Sequence, residues 1–250
     1  MNSHRHQIIS DFLEYIKTVR RYSSHTIRSY EHDLDQYYSF CRDFDPTREF
    51  NDLDQIAIQG FLQQLSLRGL SARTLARHLA SVKSLYKYML IKNLVKVNIT
   101  QSVKTPKIEQ ELPHFLSLKE AEDILRIPVG NDEKALRERL ILELFYATGI
   151  RISELIAIQL NDIRMEEGII HIIGKGSKER IVMVGTEAID TLRNHIEILN
   201  ENGLAGPDNY LFPALRKGKN GKRSHIAQRT VFNIVKKYLK QVSDDEKLSP

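Results

Sequence analysis

The 250-residue chain has no second cysteine, no long apolar run and no clustered metal-binding motif. Cys41 therefore cannot form an internal disulfide, and without Cys or His neighbours at ligand spacing it does not indicate a metal site. No apolar run approaches the roughly 20 residues that a membrane-spanning helix needs, and the polar residues 1–7 do not resemble a signal peptide. We expect a cytoplasmic protein that has no contact with a membrane and no bound cofactor.

Acidic residues are absent from residues 55–108, although the chain as a whole carries a net charge of only +5. Residues 1–104 hold 15 basic and 10 acidic side chains, whereas residues 105–250 hold 22 of each. The acid-free stretch contains nine basic residues: Arg68, Arg73, Arg77, Lys83, Lys87, Lys92, Lys96, Lys104 and Lys107. A surface without carboxylates is typical of a protein whose partner is a polyanion such as duplex DNA.

Apolar side chains recur at helical spacing through the first part of the chain, which predicts helices near residues 8–19, 26–41, 52–67 and 73–91. The last helix, which Ser71 should cap, has an apolar stripe made of Leu75, Leu79, Val82, Tyr86 and Met89. Its opposite side is cationic and consists of Arg73, Arg77, Lys83, Ser84 and Lys87. A solvated charged face usually mixes signs, and this helix has no acid to pair with, so the pattern favours nucleic-acid binding.

Pro106 and Pro113 interrupt regular structure in residues 105–115, which we interpret as a linker between two domains, 1–104 and 116–250. In the second domain, Ser117 and Glu120 form a capping box, and an apolar helix over residues 136–148 ends at Gly149. Two β-branched runs, 169–173 and 181–184, flank a basic turn, and helical spacing returns at 187–200 and 228–241. The predicted fold is mainly α, with an all-helical first domain and a mixed α+β second domain that carries a small β-hairpin.

The glycines beside Lys175 do not form a phosphate-binding loop of the nucleotide-binding type. That motif needs four residues between its glycines and a Ser or Thr after the lysine. Here five residues separate Gly168 from Gly174, and Gly176 follows the lysine. No histidine pair or carboxylate cluster indicates a metal site, but scattered single acids leave a metal-dependent nuclease open as a weaker alternative.

Four segments resemble the tyrosine recombinases, especially the Xer-like enzymes and the integrases of integrons and transposons. ATGIRISELIAIQLNDI (147–163) and IIHIIGKGSKERIVMVG (169–185) resemble the first catalytic-arginine box and the hairpin that carries a lysine. SSHTIRSYEHDLDQYYSFC (23–41) and LSARTLARHLASVKSLYKYM (70–89) resemble the helical, SAM-like core-binding domain of that family. The resemblance implies a site-specific recombinase that cuts and rejoins duplex DNA through a 3′-phosphotyrosyl intermediate, without metal or ATP. It also implies other protomers as partners, assembled as a tetramer on paired sites.

The resemblance assigns roles to single residues, and the chemistry of a phosphodiester under attack explains the residue types. Arg151 matches the arginine that grips the scissile phosphate, where a guanidinium offers paired donors and a permanent charge. Glu154 would orient Arg151, and Lys175 would protonate the departing 5′-oxygen. Lys178 and Arg180 would contact DNA beside them. The alternatives are an ordinary ion pair at a helix start for Arg151 and Glu154, and a solvated turn for the lysines.

In this family a phrase like LSP (248–250) is followed by an H-x-L-R-H box and then by the nucleophilic tyrosine, and the sequence given stops at Pro250. We therefore expect the 250 residues to bind DNA without cleaving it and to expose apolar surface on the second domain. Tyr210 and Tyr238 are interpreted as packing or phosphate-contacting groups. A non-catalytic DNA-binding regulator that competes with a full-length recombinase is the alternative function.

Overall fold

The structure, a computed structural model, describes residues 3–108, 112, 114–174, 178–214, 216 and 223–249, with side chains from His6 onward. It divides the chain into two compact units, Met1–Glu111 (unit 1) and Leu112–Pro250 (unit 2). In the part of the chain that is described, no helix is both long and apolar enough to cross a membrane.

Unit 1 is helical throughout its regular structure, as the sequence predicts. Its α-helices are α1 (Ser3–Thr18), α2 (Ser24–Phe44), α3 (Gln55–Leu67) and α4 (Ala72–Ile91), with a 3₁₀ turn at Phe50–Asp52 before α3. Side-chain caps explain where three of them begin. The hydroxyl of Ser23 accepts from the Thr26 N–H, Asp54 accepts from the Ile56 and Ala57 N–H groups, and Ser71 accepts from the Thr74 N–H.

The core of unit 1 is aromatic and contains a buried polar chain. Tyr37, Tyr86 and Phe50 are fully buried, and the Tyr37 and Tyr86 hydroxyls lie 3.1 Å apart. The Tyr86 hydroxyl donates to the Phe50 carbonyl at 3.0 Å, which satisfies a group that would be costly to bury alone. The predicted apolar stripe of α4 packs into this core, since Leu79, Val82 and Met89 are all buried. The opposite side of α4 is thereby left at the surface.

Unit 2 combines helices with a small antiparallel sheet, which confirms the predicted mixed α+β class. The helices are α5 (Leu118–Arg126), α6 (Glu133–Thr148), α7 (Ile152–Leu155), α8 (Thr186–Glu201) and α9 (Gln228–Val242). The capping box predicted from Ser117 and Glu120 is present at the start of α5. The buried side chains of α6, among them Leu140, Ile141 and Leu144, form the centre of the core, against which α5, α8 and α9 pack.

The sheet contains β1 (Ile163–Arg164), β2 (Ile169–Ile173) and β3 (Glu179–Met183) in the order β1-β2-β3. The sequence does not predict β1, and the predicted run 181–184 begins two residues after the observed start of β3. In the observed register Arg180 lies opposite the buried Ile172, so it is a strand residue on the core side of the sheet. Ile181 and Met183 lie on the other face and are exposed.

Candidate functional site

The chain turns sharply between α6 and α7, and this turn sets the position of Arg151. Gly149 ends α6 in the left-handed conformation (φ 59°), which costs glycine little and other residues more. Ile150 is buried, which anchors the backbone before Arg151. Arg151 is the N-cap residue of α7 and has an extended backbone (φ −79°, ψ 154°). Its side chain is 68% exposed, so the turn holds the backbone and presents the guanidinium at the surface.

Glu154 lies one helical turn after Arg151 and is buried, with only 4% of its side chain exposed. Its Oε2 accepts the Arg151 backbone N–H at 2.8 Å, and its Oε1 accepts the Arg151 Nη1 at 3.0 Å. The pKa of Glu154 is lowered to about 2, mainly by hydrogen bonds from the Arg180 side chain and then by those from Arg151, against the opposing effect of burial. The carboxylate therefore stays charged and holds Arg151 by two bonds.

Arg180 of β3 binds the same carboxylate through both ends of its guanidinium. Nη1 donates to Glu154 Oε1 at 2.9 Å and Nη2 donates to Oε2 at 2.8 Å, the paired geometry in which arginine binds carboxylates most strongly. Two positive groups therefore surround one negative group, which leaves one positive charge at this place. The family resemblance predicts Arg180 as a DNA contact; in the structure its guanidinium binds Glu154, and 38% of its side chain is exposed.

Gly174, at the end of β2, lies directly against this ion pair. A β-carbon at Gly174 would stand 3.1 Å from Arg180 Nη1 and 3.3 Å from Glu154 Oε1, closer than most real contacts. Its N–H donates to the Lys178 carbonyl at 2.7 Å and closes the base of the hairpin. The Lys178 side chain is exposed. Lys175, the predicted general acid, lies outside the described residues.

A cleft of about 740 Å³ opens beside Arg151 in unit 2. Its lining includes Arg151, Ser153 and Gln228, but most of its walls are apolar, from Ile124, Leu125, Phe145, Val235 and Leu239. Phe115 and Tyr146, which also line it, are largely exposed. Unit 2 therefore carries accessible apolar surface next to the arginine.

The structure places Tyr238 in the core of unit 2 and Tyr210 at its edge. Tyr238 on α9 is 5% exposed, and its hydroxyl donates to the buried Glu138, which also binds Lys237 Nζ at 2.7 Å. Burial and the Glu138 carboxylate raise the pKa of Tyr238. Tyr210 is half-buried, with its ring edge against His225. Both side chains pack within unit 2.

The predicted cationic side of α4 in unit 1 is exposed at Arg73, Arg77 and Lys87, and half-buried at Lys83 and Ser84. Lys83 Nζ donates to the Val103 carbonyl at 3.0 Å, so part of its hydrogen-bonding capacity is used within unit 1.

The expectation that this face has no acid to pair with was wrong. Asp33 of α2 is fully buried beneath it and binds the Arg77 guanidinium and the Ser81 hydroxyl, the latter at 2.8 Å. Asp33 falls between Tyr30 and Tyr37 in the helical repeat of α2, next to the buried Leu34. That inward position was the signal the sequence offered.

Metal ligands are not grouped in the structure: among the residues described, no three His, Cys, Asp or Glu side chains stand close enough to share an ion.

Two family models match the chain. The phage integrase family matches residues 114–250, and the N-terminal SAM-like domain of phage integrases matches residues 9–93. A tyrosine recombinase XerC from Thermodesulfovibrio yellowstonii is 35% identical over 246 residues, which cover 97% of this chain and 78% of that protein. A tyrosine recombinase XerD from Oceanobacillus iheyensis is 34% identical over 189 residues, 76% of this chain and 62% of that protein.

A solved structure shares the fold at lower sequence identity. The XerH site-specific recombinase, in a post-cleavage complex with its palindromic difH substrate, aligns with a TM-score of 0.67 and 22% identity. The alignment covers 97% of this chain and 69% of that one.

Proposed function

This chain belongs to the phage integrase family of tyrosine recombinases, and on that premise we propose that it binds duplex DNA and grips one backbone phosphate with Arg151. The observation that carries the proposal is the exposed Arg151 guanidinium held on the buried Glu154, with one positive charge left over after Arg180 is counted. A phosphodiester under attack gains negative charge on its non-bridging oxygens, and a fixed guanidinium stabilises that charge without reorganising.

Lys175 is proposed as the general acid, as the resemblance of residues 169–185 to the recombinase hairpin implies. An ammonium group can donate the proton that the departing 5′-oxygen needs. Glu154 supports the site as the acceptor that holds Arg151. No step in this chemistry calls for a metal or a nucleotide.

Duplex DNA is proposed to meet both domains. Residues 1–104 would act as the core-binding domain through Arg73, Arg77, Lys83, Ser84 and Lys87, and residues 116–250 as the catalytic domain through Arg151 and Lys178, joined by the linker 105–115. The exposed basic side chains of α4 suit a polyanion, because each phosphate that they neutralise releases condensed counterions. Further protomers are proposed as partners, in a tetramer on paired sites; lambda integrase has been solved as a tetramer bound to a Holliday junction.

DNA binding is tested by salt and by charge reversal on duplex DNA of about 30 base pairs. Reversing Arg73 and Lys87 together to glutamate should lower the affinity about tenfold at about 0.1 M salt and flatten the salt dependence, and Arg77 is kept because it neutralises the buried Asp33. The matched control reverses Arg42 and Arg48, which pair with acids elsewhere on unit 1. Equal losses in the two double variants would contradict a DNA-binding role for α4.

The 250 residues are further proposed to bind DNA without forming a phosphotyrosyl bond. Support comes from two tyrosines of unit 2: Tyr238 is buried against Glu138, and Tyr210 packs on His225. Tyr146 is exposed and lines the cleft beside Arg151, so it is the tyrosine that the experiment has to exclude. A suicide DNA substrate should give no covalent adduct. An adduct lost on Tyr146→Phe or Tyr238→Phe would overturn this part. A non-catalytic competitor of a full-length recombinase is the alternative.

A further inference from the structure

We propose that Arg180 is a positioning residue, which sets the guanidinium of Arg151 through Glu154 and is not itself a phosphate contact. The inference rests on the proposed function of Arg151 and goes beyond it, because it assigns the strand arginine to the mechanism of the site. It also replaces the role that the sequence suggested for Arg180.

The first support is the way the two arginines share one carboxylate. Each oxygen of Glu154 accepts one bond from Arg180 and one from Arg151: Oε1 from the two Nη1 atoms, Oε2 from Arg180 Nη2 and the Arg151 backbone N–H. Arg180 therefore fixes the rotation of the carboxylate plane. Without Arg180, the carboxylate could turn about its last bond and lose its contact with the Arg151 guanidinium.

The second support is that a phosphate contact by Arg180 would take hydrogen bonds away from the buried Glu154. The Nη1 and Nη2 atoms form one of the faces with which a guanidinium can grip a phosphate in paired fashion, and both atoms are already bound to Glu154. Turning that face to DNA would leave a carboxylate that is 4% exposed with fewer partners, which is unfavourable in a buried setting. We therefore expect Arg180 to stay bound to Glu154 when DNA is present.

The third support is the close packing of Gly174 against the ion pair. Because glycine has no side chain, the backbone after β2 can lie close to Arg180 Nη1 and Glu154 Oε1. A β-carbon at this position would be in unusually close contact with both atoms. Gly174 directly precedes Lys175 in the sequence. Arg180 and Glu154 therefore connect Gly174 with the arginine that is proposed to hold the phosphate.

A double-mutant cycle on DNA affinity, made in the full 250-residue chain, tests the inference. Arg151→Ala should weaken binding about tenfold, and Arg180→Ala about fivefold, with the double variant no more than about twofold weaker than Arg151→Ala alone. Arg180→Lys keeps the charge but cannot bind both carboxylate oxygens, so it should lose as much as Arg180→Ala. Lys178→Ala, on the same hairpin, is the control whose effect should add to that of Arg151→Ala.

The outcomes separate the inference from the function on which it rests. If Arg180→Ala adds fully to Arg151→Ala, or if Arg180→Lys binds like the parent chain, Arg180 is a direct contact and the inference is wrong. If Arg151→Ala binds as tightly as the parent chain, the proposed role of Arg151 fails and the inference with it.

A readout without DNA keeps the test valid if Arg180→Ala folds poorly. In the Arg180→Lys chain, which keeps a positive charge beside Glu154, the side-chain N–H signal of Arg151 in ¹⁵N NMR should shift and broaden, since its acceptor is no longer held by paired bonds. An unchanged Arg151 signal would overturn the inference.

Discussion

The two units place a buried carboxylate beneath an exposed arginine in different ways. In unit 1, Asp33 binds one arginine, Arg77, together with the neutral Ser81 hydroxyl. His78 lies beside them, and burial lowers its pKa, so it adds no charge near neutral pH. In unit 2, Glu154 binds two arginines, Arg151 and Arg180. In unit 1 the charge of Asp33 balances that of Arg77, whereas in unit 2 one positive charge remains because Glu154 has two arginine partners.

The difference indicates two kinds of anion recognition in one chain. On α4 the unbalanced charges are those of other residues, such as Arg73 and Lys87, which are spread along the helix and suit several phosphates at once. At Glu154 the excess charge sits in a single place, next to a cleft, and suits one phosphate whose charge changes during a reaction. Four changes test this contrast.

Removing the shared carboxylate of unit 2 should have the largest effect. Glu154→Ala leaves two guanidinium groups facing each other and should cost roughly 3 kcal/mol of unfolding free energy. Hydrogen exchange of unit 2 peptides measures the loss. Asp190→Ala is the control, because Asp190 and its partner Arg193 are both exposed and should contribute less than about 1 kcal/mol. Similar losses would show that the Glu154 cluster is an ordinary surface pair.

Removing the carboxylate of unit 1 should cost less. Asp33→Ala leaves one arginine and one hydroxyl without their acceptor, and we expect a loss of about 2 kcal/mol, read from hydrogen exchange of α2 and α4 peptides. Asp43→Ala, in the exposed pair with Arg42, is the matched control. A loss larger than that of Glu154→Ala would reverse the contrast between the units.

Acid should weaken unit 2 through Glu154. Its pKa is about 2 in the folded chain and lies near 4.5 in a free side chain, so its contribution is complete above that range and disappears as pH falls toward 2. The slope from one such group is at most about 1.4 kcal/mol per pH unit. Urea unfolding at pH 5 and pH 3 should show a smaller difference for Glu154→Gln than for the parent chain. If both chains lose the same stability between pH 5 and pH 3, the acid sensitivity comes from groups other than Glu154.

The smallest effect should come from a single methyl group. Gly174→Ala pushes a β-carbon against Arg180 Nη1 and Glu154 Oε1, and we expect a loss of about 1 kcal/mol in a thermal melt. An unchanged melting temperature for Gly174→Ala would mean that the ion pair can move aside for the added methyl group.

The sequence was sufficient where structure depends on neighbours in the chain. Ser71, the Ser117 and Glu120 pair, and Gly149 cap helices through contacts within a few residues, and all three features are observed as predicted. The buried stripe of α4 follows in the same way from helical spacing. These signals locate the start of α4 and the end of α6, which lie beside the proposed sites.

What the sequence did not reveal depends on partners far along the chain. Arg180 was placed in a turn because the face of a strand residue depends on its register with β2, which no local pattern fixes. The pairing of Asp33 with Arg77 is not visible in the sequence because the two residues lie 44 positions apart. The acid-free stretch alone therefore does not show that an acid from α2 binds α4. In both cases a buried acid and a distant arginine define the site together.

The alignment of Arg180 with Ile172 also stabilises the native register of β3 against β2. A slip of β3 by one residue would turn Arg180 outward and bring either Ile181 or Glu179 toward Glu154. The first would cover a carboxylate with a hydrocarbon side chain, and the second would set two negative charges against each other. Of these three alignments, only the native one gives the buried acid both of its arginine partners, so the same ion pair that serves the site also favours the correct hairpin register as the domain folds.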